Sequence, residues 1–281
     1  MSSDQPRPLR NFRLRLQYDG TRFSGWQTQP QKRTVQQTIE EILSNLTQEK
    51  IHLIGASRTD AGVHAQGQIA SFRTHSRLPA EKFFTALSGL LPEDISVIEI
   101  DEMTLDFHAI RSAQKKTYRY LLLSSPRAHP LLGTHAWHVW ENLDLEAMRK
   151  AASFLVGEHD FSAFRGAKSG TKTSVRRIHR IEIKAHPAAK VFPLLVSASK
   201  IRSQKNPARI LCLDIDGNGF LKYMVRNIVG TLVHIGKGRL PPRAIKEILS
   251  SQNRRNAGPT APAKGLYLWK IQWKAEEGGT L

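Results

Sequence analysis

In the stretch NFRLRLQYDG, apolar Phe12, Leu14, Leu16 and Tyr18 alternate with Arg13, Arg15 and Gln17. A period of two puts each set on its own face of a strand, and the Asp-Gly pair predicts a turn at the end. From Thr34 the period changes. Val35, Ile39, Ile42, Leu43 and Leu46 share one helical face, and Thr34 with Gln37 has capping-box spacing. An apolar run IHLIG, a polar loop and a strand in GQIASF follow. Prolines bracket a second predicted helix in PAEKFFTALSGLLP, and ISVIEIDEM reads as a strand.

Strands and helices then recur in a similar order. KKTYRYLLL and HAWHVW read as strands, and DLEAMRKAASFLVG as a helix with Asp144 as N-cap and a glycine stop. SVRRIHRIEIKA and RILCLDIDG are predicted strands, FLKYMVRNIVGTLVHIG an interior helix, and PPRAIKEILSS the last helix. The halves share this layout without a residue-level repeat. The pattern predicts an α/β chain with a disordered arm over 1–10, an N-terminal subdomain over 11–112 and a C-terminal one over 113–281.

Composition narrows the class. A chain of 281 residues, 40% hydrophobic and 23% charged, is that of a globular protein with a sizeable core. No run approaches the roughly 18 apolar residues of a membrane span, and no apolar leader precedes the first strand. The single cysteine, Cys212, excludes an intramolecular disulfide and a cysteine metal cluster; within RILCLDIDG it reads as a small buried hydrophobe. A reducing cytoplasm fits.

Charge adds a partner. Lys and Arg number 42 against 24 Asp and Glu, a net +18 that favours polyanions, nucleic acid ahead of a membrane surface. Between Arg165 and Arg209 twelve basic residues face Glu182 alone, which makes this stretch a candidate phosphate-contacting surface. Its middle, at about 186–208, carries prolines and no period, and reads as a long basic loop or insertion.

Several chemistries are missing. The histidines form no HExxH pattern, so no metal site is expected, and neither a P-loop nor a GxSxG elbow occurs. SRTDAGVHA is the remaining candidate. Asp60 there is either a turn former or a carboxylate presented to a substrate, with Arg58 two residues away as a cation able to hold it ionised. Phe23 and Trp26, in RFSGW, are either packing residues or base-stacking surfaces.

YDGTRFSGWQ (18–27), SRTDAGVHAQGQIASF (57–72), KKTYRYLL (115–122), GEHDFSAFR (157–165), GFLKYMVRNIVG (219–230) and AGPTAPAKGLYL (257–268) resemble, in this order, the motifs of the TruA family of tRNA pseudouridine synthases. The resemblance runs from about residue 12 to 270 and departs from the family around 186–208. It implies the pseudouridine-synthase fold: two ferredoxin-like halves, a joined, mainly antiparallel sheet and a central basic cleft. It implies an isomerase that breaks the N1–C1′ bond of a uridine and rejoins the base through C5, with no cofactor or metal. The substrates would be uridines 38, 39 and 40 of the tRNA anticodon stem-loop, and the enzyme a homodimer. Asp60 matches the family's nucleophile. Tyr118 matches a tyrosine that stacks on the target base and is a candidate proton acceptor. Arg226 matches an arginine that pairs with the aspartate, Arg58 one that helps displace the nucleotide, and Leu266 a pocket wall or ordinary core. Lys172, Arg176 and Arg177 are the basic-stretch residues assigned to RNA phosphates. The rival from another class is a non-catalytic RNA-binding or ribosome-assembly protein.

Overall fold

The structure, a computed structural model, describes residues 7–167, 173–191 and 208–273. The chain folds as two compact units, Met1–Gln114 with Leu268–Leu281, and Lys115–Tyr267.

The first unit contains β1 (Arg10–Tyr18), α1 (Val35–Thr47), β2 (Ile54–Gly55), β3 (His64–Thr74), α2 (Ala80–Leu90) and β4 (Ile95–Met103). β1 is the central partner, antiparallel to both β3 and β4, with Phe12 opposite Phe72. The alternation along β1 sends Phe12, Leu14, Leu16 and Tyr18 inward. Phe12 stacks on Phe72 at 5.3 Å, and Phe83 of α2 closes on both.

The entry to α1 corrects the capping-box expectation. Thr34 occupies the N-cap without a side-chain bond, and Gln37 bonds Glu41 instead. Nearby backbone has already taken the orphan donors: Val35 N–H donates to the Gly25 carbonyl and Gln36 N–H to that of Trp26. The Asp-Gly turn is also different, since Asp19 caps a short 3-10 turn over Gly20–Arg22.

The second unit is built on β5 (Ala113–Ser124), followed by β6 (Trp137–Val139), α3 (Leu145–Ser153), β7 (Gly157–Asp160), β8 (Val175–Pro187), α4 (Ala188–Val191), β9 (Arg209–Gly217), α5 (Met224–Gly236) and α6 (Ala244–Ser251). β9 lies antiparallel between β5 and β8, β8 pairs with β7, and β6 runs parallel to β5. Asp144 caps α3 through the N–H of Ala147, as its position predicts. Cys212 is half-buried on β9 beside the cluster of Leu123, Leu132 and Ile210, and burial raises its thiol pKa.

Two expectations in this unit are corrected. The interior helix starts at Met224 rather than near Phe220, because Tyr223 adopts a left-handed φ of +61° that interrupts the chain's path. The basic loop does not begin at 186: His186 and Pro187 still pair with Ile210 and Arg209, and α4 follows. The rest of that loop, 192–207, lies outside the described residues, as do residues 1–6 of the arm.

A strand absent from the pattern reading ends the described chain. β10 (Leu266–Trp273) lies next to β3 in the first unit, where Gly67 packs directly beneath the Trp269 carbonyl. The chain is thus of the mixed α/β class with mainly antiparallel pairing. Among the described residues no helix is long and apolar enough to cross a membrane.

Candidate active site

Asp60 lies in the loop between β2 and β3. Its backbone carbonyl accepts the N–H of Val63 at 3.1 Å, closing a four-residue turn whose third residue, Gly62, has φ +75°. A side chain is disfavoured in that left-handed conformation, which explains the glycine of DAGV. Main chain closes the turn.

Residues 18–26 brace this loop from below. The Trp26 N–H donates to the Thr59 carbonyl at 3.0 Å, and the Gly62 N–H to that of Phe23 at 3.3 Å. Thr59 and Tyr18 share a buried hydroxyl–hydroxyl bond of 2.8 Å. Gln68 donates to the Ser57 carbonyl at 2.6 Å and accepts from its N–H at 3.3 Å. His64 is buried, and its Nδ1 accepts from Gly20 N–H at 3.2 Å. Phe23 and Trp26 are 3% and 2% exposed, so they pack within this brace and offer no face to a base. Many small bonds therefore hold a half-buried aspartate on a stiff support, the arrangement that a preorganised reactive group needs.

Arg58 does not do what its spacing suggests. Thr59 is anchored inward between the two charged residues, leaving Arg58 exposed, and no ion pair joins it to Asp60 among the described residues. A local cation on this loop is not what holds the carboxylate.

In the second unit, Tyr118 sits on β5 opposite Ile215, 5% exposed, with the Phe220 ring edge-on at 5.1 Å. Lys116 lies two residues earlier on the same strand face, opposite Gly217. Burial lowers the Lys116 amine to about 8, and the charge of Arg176 adds to the effect. Arg176 is half-buried on β8, donating to the Thr173 and Val175 carbonyls, and desolvation lowers its pKa as well. Arg177 is exposed and meets Glu158 at 3.3 Å. Lys172 lies outside the described residues.

Arg226 occupies the first turn of α5. Its Nε donates to the Ala261 carbonyl at 2.7 Å, and its own carbonyl accepts the Ala261 N–H at 3.1 Å. The guanidinium also lies over the Tyr223 ring, 5.0 Å from its centroid. Segment 257–262 presses so closely on α5 that a Cβ on Gly230 would overlap the Pro259 carbonyl oxygen. Asn227 bolts the two together from inside: Nδ2 donates to Phe164 O at 2.8 Å, while Oδ1 accepts from Thr260 Oγ1 at 2.6 Å and Arg254 Nη2 at 3.0 Å. The Tyr120 hydroxyl donates to Pro262 O at 2.7 Å, and burial pushes its phenol pKa well up. β5, carrying Tyr118, and α5, carrying Arg226, are thus fixed to one short segment. Leu266 follows it at the start of β10, 4% exposed and packed as core.

Sequence reasoning overlooked Asn227, Thr260 and Arg254. A signal was available, because Asn227 and Thr231 stand four apart in an otherwise apolar helix, and such a buried polar stripe needs partners. Lys116 gave no signal; only the strand face it shares marks it.

The sequence profile described as tRNA pseudouridine synthase matches residues 16–110 and 151–274. A tRNA pseudouridine synthase A of Acetivibrio thermocellus is 44% identical over 265 residues, covering 94% of this chain and all of that one. The protein of the same name from Thermoanaerobacter sp. is 40% identical over 263 residues, covering 94% and 99%. A tRNA pseudouridine synthase A 2 of Clostridium tetani is 42% identical over 264 residues, covering 93% and 98%.

Proposed function

Since this chain belongs to the tRNA pseudouridine synthase family, a family of isomerases, we propose that it converts uridines 38, 39 and 40 of the tRNA anticodon stem-loop with Asp60 as nucleophile. A carboxylate oxygen of Asp60 takes up C1′ as the N1–C1′ bond breaks, leaving a uracil anion in the pocket. The base turns, C5 bonds to C1′, and the carboxylate is released. The C5 proton then leaves to a base and N1 gains one, so no electrons are exchanged and no cofactor takes part. Tyr118 stacks on the uracil and is the candidate acceptor of the C5 proton; Arg226 balances the Asp60 charge; Leu266 walls the pocket. Arg58 assists in displacing the nucleotide, a role consistent with its exposure. Lys172, Arg176 and Arg177 contact RNA phosphates. A cytoplasmic homodimer is the working form.

The observation that carries this reading is the Asp60 turn, closed by its own main chain and locked to residues 18–26. The turn holds Asp60 half-buried on a braced support, as a preorganised reactive group requires. The test is product mapping on tRNA given only the purified protein. Native protein is expected to form pseudouridine at 38, 39 and 40. Asp60→Ala is expected to lose it by about a thousandfold or more while still binding tRNA. Equal pseudouridine from the variant would overturn Asp60 as the nucleophile, absence of product from the native protein would leave an RNA-binding protein in its place, and product outside the anticodon arm would overturn the substrate assignment.

A further inference from the structure

Within the second unit an open concavity is lined by Ser162, Arg165 and Gly166 on one side and Gln252, Asn253 and Arg254 on the other. Its charges are only partly balanced. Arg165 is half-buried, and its guanidinium makes no hydrogen bond or ion pair among the described residues. Asp160 is close enough to sense it, but the Asp160 oxygens accept from the Ser162 N–H at 2.7 Å and the Gln252 amide at 3.3 Å. Arg254 donates only to neutral oxygens, those of Ala257, Asn227 and Thr260, and desolvation lowers its pKa. Asn253 uses its Oδ1 to cap the turn at Arg254–Asn256, which leaves its Nδ2 donor without a partner among the described residues.

A half-buried guanidinium with no hydrogen-bond acceptor among the described residues, a second one that meets only neutral oxygens there and an exposed amide donor converge on one space. Part-buried cations are costly unless counter-charged, Asp160 offsets Arg165 in part, and a tetrahedral anion with several acceptor oxygens suits such donors. The concavity is also coupled to Arg226. Arg254 bonds Asn227, the next residue on α5, and Gly166 packs against the ring of Tyr223, over which Arg226 lies.

We infer that this concavity is a phosphodiester subsite for the RNA strand, with Arg165 and Asn253 donating to the nonbridging oxygens and Arg254 supplying fixed charge behind them. The inference rests on the RNA-modifying function proposed above. It makes Arg165 and Asn253 substrate-binding residues that anchor the strand beside the nucleotide being turned.

The test uses the full chain and tRNA, with affinity measured across salt concentrations. Arg165→Gln is expected to weaken binding on the order of tenfold and to flatten the log K against log[salt] slope by ~0.7–0.9. KM for tRNA rises while kcat changes little. Arg165→Lys is expected to retain most of the slope, because a point charge still neutralises a phosphate. Asn253→Asp keeps the capping oxygen but replaces the donor by a negative charge, and is expected to weaken binding at least as much. An unchanged slope in Arg165→Gln overturns the inference, whatever happens to affinity. So does a variant that loses stabilisation by inorganic phosphate while its tRNA slope stays native, since the site would then serve a free anion. The salt slope is measured without turnover, so loss of this subsite is distinguishable from loss of the catalytic reading, which Asp60→Ala tests.

Discussion

Lys116 carries a proton whose position is set by its surroundings. Burial is the larger cause of the fall from 10.5 to about 8, and Arg176 the smaller. A lysine whose folded value lies below its unfolded one destabilises the fold in full below about 8. That penalty is relieved as pH rises toward 10.5, because the unfolded chain binds more protons across this window. Lys116→Met is therefore expected to raise Tm at pH 7, with a gain that shrinks in alkaline buffer. In Arg176→Gln the Lys116 titration, followed through the labelled side-chain carbon, is expected to move upward from about 8. A midpoint that stays in place would remove Arg176 as a cause. The lesson of Arg58 belongs to the same scale: two residues of separation promised a pairing with Asp60, yet Arg58 stands exposed and no such pair forms among the described residues.

At the level of elements, the packing of α5 against segment 257–262 decides where Arg226 is held. Gly230→Ala would drive a methyl into the Pro259 carbonyl, and the segment must retreat. The expected cost is about 1–3 kcal/mol of stability. Ala261, which holds Arg226 by two hydrogen bonds, retreats with it, so kcat should fall further than tRNA affinity does. Native kcat in a folded Gly230→Ala protein would show that Ala261 does not position Arg226. These elements also show what could be read beforehand. Strong periods were legible: β1 by its alternation, α3 by its Asp144 cap, and β8, all but its last two residues, by its recurring β-branched positions. What failed was set by distant partners. α1 takes its N-terminal acceptors from residues 25 and 26, so the local capping box was unnecessary. β10 escaped notice because its pairing lies beside β3, far away in sequence. The candidate site was read from the motifs RTDAGVHA and YMVRN, whereas the frame of Asn227, Thr260 and Tyr120 depends on tertiary interactions that no local pattern encodes.

For the molecule as a whole, a net charge of +18 makes salt the natural probe of RNA binding. Arg177 meets Glu158 in an exposed pair, which holds it weakly enough to turn to a phosphate. Neutralising Arg176 and Arg177 together is expected to reduce the salt slope by ~0.7–0.9 for each phosphate left without its cation. A native slope would assign this basic face to solvent.

Among the described residues β10 is the last strand to be synthesised, yet its place is beside β3, made near the beginning. On the ribosome, the first unit therefore waits for everything between Gln114 and Leu268 to be polymerised before it can close. Throughout that interval the margin of β3 around Gly67 stays bare, a ready template for the wrong strand. The nascent enzyme is thus most exposed to misassembly in the unit that carries Asp60, and a chain released early would expose that margin permanently.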